Sequence, residues 1–310
     1  MGTARKSEKN AKVPGGRRIG RSVKRDAAVA RRIEKKKEKR SRQKEREEKR
    51  QELGEEAVPK EKPKTLESLR EYDVTMVDPA DEETLFDENT DEFASYFNRE
   101  AAPKVLITLS SGARVETWRL CHELKKCIPN ADIYSRKGIA MKRVVKQAIK
   151  REYSDVIVVN EDRKIPNGLT ICHLPEGPTA VFKLSGLKFT KDIKKHGEST
   201  NHCPEVILNN FNTRLGHSVA RMFACLFPYD PEFRGRRVVT FHNQRDFIFF
   251  RHHRYEFKKD GTKAALLELG PRFTLKMRYL QKGTFNTKYG DYYWIHKRHE
   301  METSRRRFFL

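Results

Sequence analysis

The chain has 310 residues, 66 Lys and Arg against 43 Asp and Glu, and a formal net charge of +23. That length holds one large domain or two ordinary ones plus tails, and the cationic excess suits a polyanionic partner. The longest apolar runs, Val156 to Val159 and Phe247 to Phe250, fall far short of the roughly 20 residues that span a bilayer, and no secretory apolar core opens the chain, so a membrane partner is not expected.

Charge is segregated. Residues 1–60 carry a net +12, residues 61–100 a net −9 and residues 101–310 a net +20. This predicts a basic arm over 1–60, an acidic linker over 61–100, a folded region over 101–295 and a basic tail over 296–310. From Lys24 to Glu56 the arm is built of good helix formers, with Glu38–Arg42 and Glu45–Lys49 at the favourable i,i+4 spacing. It lacks an apolar stripe, so it reads as extended or disordered chain, or as a solvated helix that becomes ordered on RNA. Arg17, Arg18, Arg21, Lys24 and Arg25 form the kind of cluster that serves as a nuclear address or a nucleic-acid contact; a plain solvated charge run is the other reading. Within the linker, Leu85-Phe86, Phe93 and Tyr96-Phe97 are apolar enough to dock on the folded region or on a partner.

From Lys104 the pattern alternates. Val105 to Leu109 reads as a buried strand, Val115 to Cys127 as an amphipathic helix and Ile139 to Glu152 as a basic amphipathic helix. Strands follow at Asp155–Val159, Leu169–Leu174 and Thr179–Leu184, with a turn at Glu176-Gly177-Pro178. A comparable order then recurs: a strand at Val206–Leu208, a helix from Arg214 to Phe227, and strands at Val238–Phe241 and Phe247–Phe257. Both series open on a short strand and a small polar loop ending in Arg, at Arg114 and Arg214. The expectation is an α/β fold of two duplicated halves, about 101–200 and 201–295.

The run from Gly270 to Leu280 closes the pattern. With a period of two, Phe273, Leu275, Met277 and Tyr279 share one face, and Arg272, Thr274, Lys276 and Arg278 share the other. Two readings stand: a row of cations made for phosphate, or an edge strand whose cations discourage aggregation. Other basic clusters are Arg136-Lys137 with Lys142-Arg143 around a helix start, and Arg234, Arg236 and Arg237 on a turn. Backbone N–H groups at that helix start add to an anion site, although cations there oppose the helix dipole until phosphate is bound. Lys282 and Lys288 lie in a glycine-containing loop among Phe285, Tyr289, Tyr292 and Tyr293, aromatic residues of the kind that stack bases.

Catalytic constellations are missing. The chain has no GxxxxGK[ST] loop, no GxGxxG turn after a strand, no GxSxG elbow, no HExxH pair and no acidic cluster suited to two metal ions. His252 and His253 are adjacent on a strand and point to opposite faces, so one packed and one solvated ring is expected. Cys121, Cys127, Cys172, Cys203 and Cys225 are odd in number and never spaced CxxC, which predicts reduced, mostly buried thiols. His202-Cys203 has no partner pair nearby in sequence. No enzyme activity, cofactor or metal is expected.

Six ordered blocks, Val105–Ser111, Leu124–Asn130, Gly168–Pro175, Gly177–Ala180, Asn210–Gly216 and Gly270–Arg278, resemble the Brix-domain family of ribosome-assembly factors over about residues 100 to 295. The resemblance implies two tandem halves, each similar to the anticodon-binding domain of class II tRNA synthetases. It implies a non-enzymatic factor of the nucleus and nucleolus that binds precursor rRNA of the large (60S) subunit and serves pre-rRNA processing. It places a sigma-factor-like RNA-binding motif on Arg272, Lys276 and Arg278. It also implies a small partner protein, which for the branch these blocks match best is the maintenance-of-killer 16 protein, together with other large-subunit assembly factors. The first loop, Ser110 to Arg114, departs from the Arg and Pro that many members place before the helix. Two further readings remain: a Brix-type factor of the small-subunit processome, and a protein-interaction scaffold that its charge merely localises.

Overall fold

A run of Lys, Glu, Arg and Gln without an apolar stripe and a series of alternating apolar runs make two different kinds of structure. The computed structural model describes residues 21–53, 63–65, 67–78, 81–258, 261–286, 289–301, 304 and 306–310. It separates into two units, Met1–Thr65 and Leu66–Leu310. In the first, α1 (Arg21–Leu53) runs for 33 residues, about 50 Å at the helical rise. Its side chains from Ala28 to Lys49 are exposed, and Arg42 donates to Glu38 at 2.7 Å.

The second unit opens with α2 (Glu82–Thr90) and α3 (Ala94–Phe97). The first half of the fold follows: β1 (Val105–Leu109), α4 (Val115–Cys127), β2 (Ala131–Tyr134), α5 (Met141–Lys150), β3 (Asp155–Asp162), β4 (Ile165–His173) and β5 (Thr179–Lys188). The second half comprises β6 (Glu205–Asn209), α6 (Arg214–Ala224), β7 (Arg237–Gln244), β8 (Phe247–Phe257), β9 (Ala264–Glu268) and β10 (Arg272–Gln281). β11 (Tyr292–Ile295) and α7 (Arg298–Met301) come after it. Among the described residues the strands form one sheet in the order β2-β1-β3-β4-β5-β10-β8-β7-β6, with β9 on β8 and β11 on β10.

The expected duplication is visible in the pairing. In the first half β1 lies parallel to β3, and β3, β4 and β5 follow antiparallel. In the second half β6 lies parallel to β7, and β7, β8 and β10 follow antiparallel. The halves meet where β5 pairs antiparallel with β10. Among the described residues the second half has no counterpart of β2 and α5.

That difference sets the two faces of the sheet. α4 buries Leu120, Cys121, Leu124 and Cys127 at helical spacing, and α6 buries Val219, Met222 and Phe223. Both pack on one face, against Ile107, Ile157, Phe182, Phe250 and Leu275 in the main core. α5 covers the opposite face of the first half alone, with Val144, Val145 and Ala148 on Leu106, Val156 and Val158.

Two segments outside the expected domain dock on it. The acidic stretch forms a strap on the folded unit through the aromatic residues that were apolar enough to dock: Phe93 and Tyr96 are buried, and Tyr96 donates to the Phe227 carbonyl at 2.9 Å. Its carboxylates pair with side chains of α6, with Arg221 on Asp91 at 2.7 Å, Arg214 on Glu83 at 3.1 Å and His217 hydrogen-bonded to Glu88 at 2.7 Å. The segment expected as a basic tail is also docked. Phe308 and Leu310 are buried, and Thr213 donates to the Phe309 carbonyl at 2.7 Å.

Candidate nucleic-acid interface

β10 is an interior strand, paired with β5 on one side and β8 on the other. The defended-edge reading of its cations is therefore excluded, since an interior strand has no free ladder to protect. Phe273, Leu275 and Met277 are buried as the alternation requires. The register with β5 shifts between Met277 and Tyr279, so Leu280 and not Tyr279 continues the core face.

The other face of β10 lies beyond the reach of α5: Lys183, Ser185 and Phe247 are exposed there, Thr274, Lys276 and Arg251 are half-buried, and Arg307, Phe308 and Phe309 line a cavity with Lys276 and Phe247. Across it, Lys276 pairs with Lys183 of β5 and with Phe247 of β8, and Thr274 pairs with Ser185 and Phe249. The Lys276 ammonium stands 5.2 Å from the centre of the Phe247 ring, and Phe247 is 40% exposed. One step along β8, the Arg251 guanidinium stands 5.7 Å from the Phe249 ring and donates to the Phe250 carbonyl at 2.8 Å. Burial lowers the Arg251 pKa, with Glu268 opposing that shift. Arg272 pairs with Glu268 at 3.3 Å. Cations above aromatic rings on a twisted sheet combine phosphate attraction with flat surfaces for bases. Sequence reasoning missed Lys183, Arg251, Phe247 and Phe249. Lys183 and Arg251 showed only as polar steps in a strand, and Phe247 and Phe249 sit in an unbroken apolar run that reads as core.

α5 extends the basic surface on the same side of the sheet. Lys142, Arg143, Lys146 and Lys150 are exposed, and the helix carries no acidic residue. Lys137 is exposed before it, whereas Arg136 is half-buried and its Nε donates to the Leu109 carbonyl at 2.9 Å. Arg278 and Lys282 are exposed at the far end of β10. Arg234 and Arg236 are exposed on the turn before β7, with Arg236 3.8 Å from Glu256.

Arg237 is a correction. It is 2% exposed, and its guanidinium donates to the carbonyls of His202 at 2.6 Å and Lys126 at 2.6 Å, to that of Thr200, and to His252. It closes the second half against α4 and meets no solvent. Lys288, Arg17 and Arg18 lie outside the described residues. Arg21, Lys24 and Arg25 fall in the first turns of α1.

The two faces thus differ in charge. On the α4 and α6 side the acidic strap answers the arginines of α6; on the α5 side Lys183 of β5 and the cations of α5 are exposed.

A Brix domain model matches residues 110–279, and β10 with its cation row lies within that span apart from its last residues. The chain belongs to the Brix-domain family. A Brix domain-containing protein of Caenorhabditis elegans is 67% identical over 251 residues, which is 81% of this chain and 65% of that one. Ribosome production factor 1 of Xenopus laevis is 60% identical over 255 residues, 82% of this chain and 74% of that one. A crystal structure of a probable ribosomal biogenesis protein from Aeropyrum pernix K1 aligns at 16% identity and a TM-score of 0.41, covering 56% of this chain and 96% of that one. The chain therefore spans 65% and 74% of the length of these two curated relatives, and the matched stretch is longer than the Brix domain.

Proposed function

We propose that this protein is a non-catalytic RNA-binding factor in assembly of the large ribosomal subunit, acting on precursor rRNA in the nucleolus. The carrying observation is the sheet face where Lys183, Lys276, Arg251 and Arg272 stand about the aromatic pair Phe247 and Phe249. Phosphate contacts of this kind position RNA and do not read its bases. Relatives named ribosome production factor 1 give the assembly role its support. A heterodimer with the maintenance-of-killer 16 protein, and contact with other large-subunit assembly factors, belong to the same proposal. β6 ends the sheet, and the exposed Tyr229 and Phe233 near it suit such a protein partner.

The test is a titration of the full chain with single-stranded RNA at several salt concentrations. Four phosphate contacts give a log–log slope of about −3; a flat response would overturn the reading. RNA recovered with the tagged protein from cells is expected to map to the large-subunit precursor. Recovery of small-subunit precursor alone would reassign the particle.

A further inference from the structure

β1 and β2 are parallel neighbours whose connections leave in opposite directions. β1 leads to α4 on one face, and β2 leads to α5 on the other. Such a divergence opens a crevice outside the carboxyl ends of the two strands, where open α/β sheets bind ligands. Here the crevice continues under α5 as a cavity of about 140 Å³, lined among others by Leu106, Thr108, Tyr134, Gln147, Ala148 and Tyr153.

Three properties of the cavity point to one ligand chemistry. Its floor is apolar, with Leu106 and Ala148 buried. One wall is Tyr134, 51% exposed, with the Arg151 guanidinium 5.9 Å from its ring centre. Thr108 is 1% exposed and its hydroxyl has no hydrogen-bond partner among the described residues. A buried hydroxyl without a partner is costly and uncommon in native proteins. Its position in a cavity with an aromatic wall and an amide rim suits a flat ligand that brings its own polar edge.

The volume is well under the roughly 300–1,000 Å³ that encloses a drug-sized molecule. It has room for one ring system. The exposed cations Lys137, Lys142 and Arg143 stand on the segment that roofs it, so a ligand attached to phosphates is favoured at its mouth. We infer that this cavity takes a single unstacked nucleobase of the bound RNA, held between Tyr134 and the apolar floor with its polar edge at Thr108. Bases splayed out of single strands are recognised in this way, by an aromatic or guanidinium plane and by hydrogen bonds to the base edge. The inference rests on the RNA-binding reading above. It adds a second contact about 19 Å from the β10 row, the width of four strand spacings.

The experiment uses the full chain, a 4-thiouridine-containing single-stranded RNA of about 16 nucleotides, and the Thr108→Val variant. Irradiation is expected to join the RNA to a peptide that contains Tyr134 or Tyr153. Thr108→Val removes a hydroxyl that has no protein partner and keeps the side-chain shape, so its melting temperature is expected to equal or exceed that of the parent. Its RNA affinity is expected to fall about fivefold with the salt slope unchanged, because every phosphate stays engaged. Crosslinks confined to peptides of β8 and β10, or Thr108→Val binding as the parent does, would overturn the cavity and leave the sheet face standing. A chain that binds no RNA at all would overturn both.

Discussion

Arg237 Nε donates to Nε2 of His252 at 3.2 Å, and Nδ1 of the same ring lies 2.8 Å from the Gly270 carbonyl. A guanidinium can only donate and a carbonyl can only accept. The ring is therefore neutral, with its proton on Nδ1. Burial, which outweighs the bond to Gly270, lowers its pKa to about 4.

A pH dependence follows from this depressed histidine. Between the unfolded value near 6.5 and the folded value of about 4, the unfolded chain binds the extra proton. The stabilisation is complete above about pH 6.5 and diminishes as pH falls, by on the order of 3 kcal/mol. Urea titrations across that range are expected to show the decrease, and His252→Asn, which retains a donor for Gly270, is expected to flatten it. Arg237→Ala is expected to cost about 3 kcal/mol by leaving three part-buried carbonyls and the buried His252 ring nitrogen without their donor.

His173 works in the opposite sense. Burial pulls its pKa down, but the hydrogen bond and charge of Asp155, 2.8 Å away, together with Glu92, outweigh burial and raise it. Its contribution is full below the unfolded value and is lost as pH rises through the raised folded value. Asp155→Ala strands a buried charge and is expected to cost about 3–5 kcal/mol, with the difference from the parent shrinking as pH rises above about 6.5. Phe93 of the strap rests on the His173 ring at 4.9 Å, so faster proteolysis near Phe93 is expected in the same variant.

The sheet face separates charge from stacking. Replacing Lys183, Arg272 and Lys276 together by Gln is expected to reduce the magnitude of the salt slope by about 2, some 0.7 for each phosphate no longer neutralised. Phe247→Ala is expected to weaken binding by about 1–3 kcal/mol for the base it stacks, with the slope unchanged. Equal slopes in parent and triple variant would remove this face from the interface.

Gly177 has φ +110, and a Cβ there would stand 2.7 Å from the Gly283 backbone. The turn after β4 and the loop that carries Lys282 therefore meet backbone to backbone. Gly177→Ala is expected to destabilise the unit by about 1–3 kcal/mol, measurable by thermal unfolding, and to displace the Lys282 loop.

Much of the fold was legible in short windows. Val105–Leu109 and Val115–Cys127 begin and end as their apolar spacing predicts, because a period of two or 3.6 is a property of neighbouring residues. The acidic stretch was legible in part: its aromatic residues marked it as able to dock, but the partners of its carboxylates, Arg214, His217 and Arg221, lie more than a hundred residues away. Arg237 misled for a similar reason. In a run of arginines it looked like surface, but Lys126, Thr200 and His202 bring their carbonyls to it from other parts of the chain.

By itself the sequence determined which side chains of β10 share a face, since alternation is built into the extended backbone. Whether that strand lies inside the sheet or at its edge was decided by pairing with β5 and β8, and ladder partners leave no mark in local spacing. The same holds for the interface. Lys276 was visible as a cation in a row; only the fold sets it beside Lys183 and above Phe247, on a part of the sheet that no counterpart of α5 covers among the described residues.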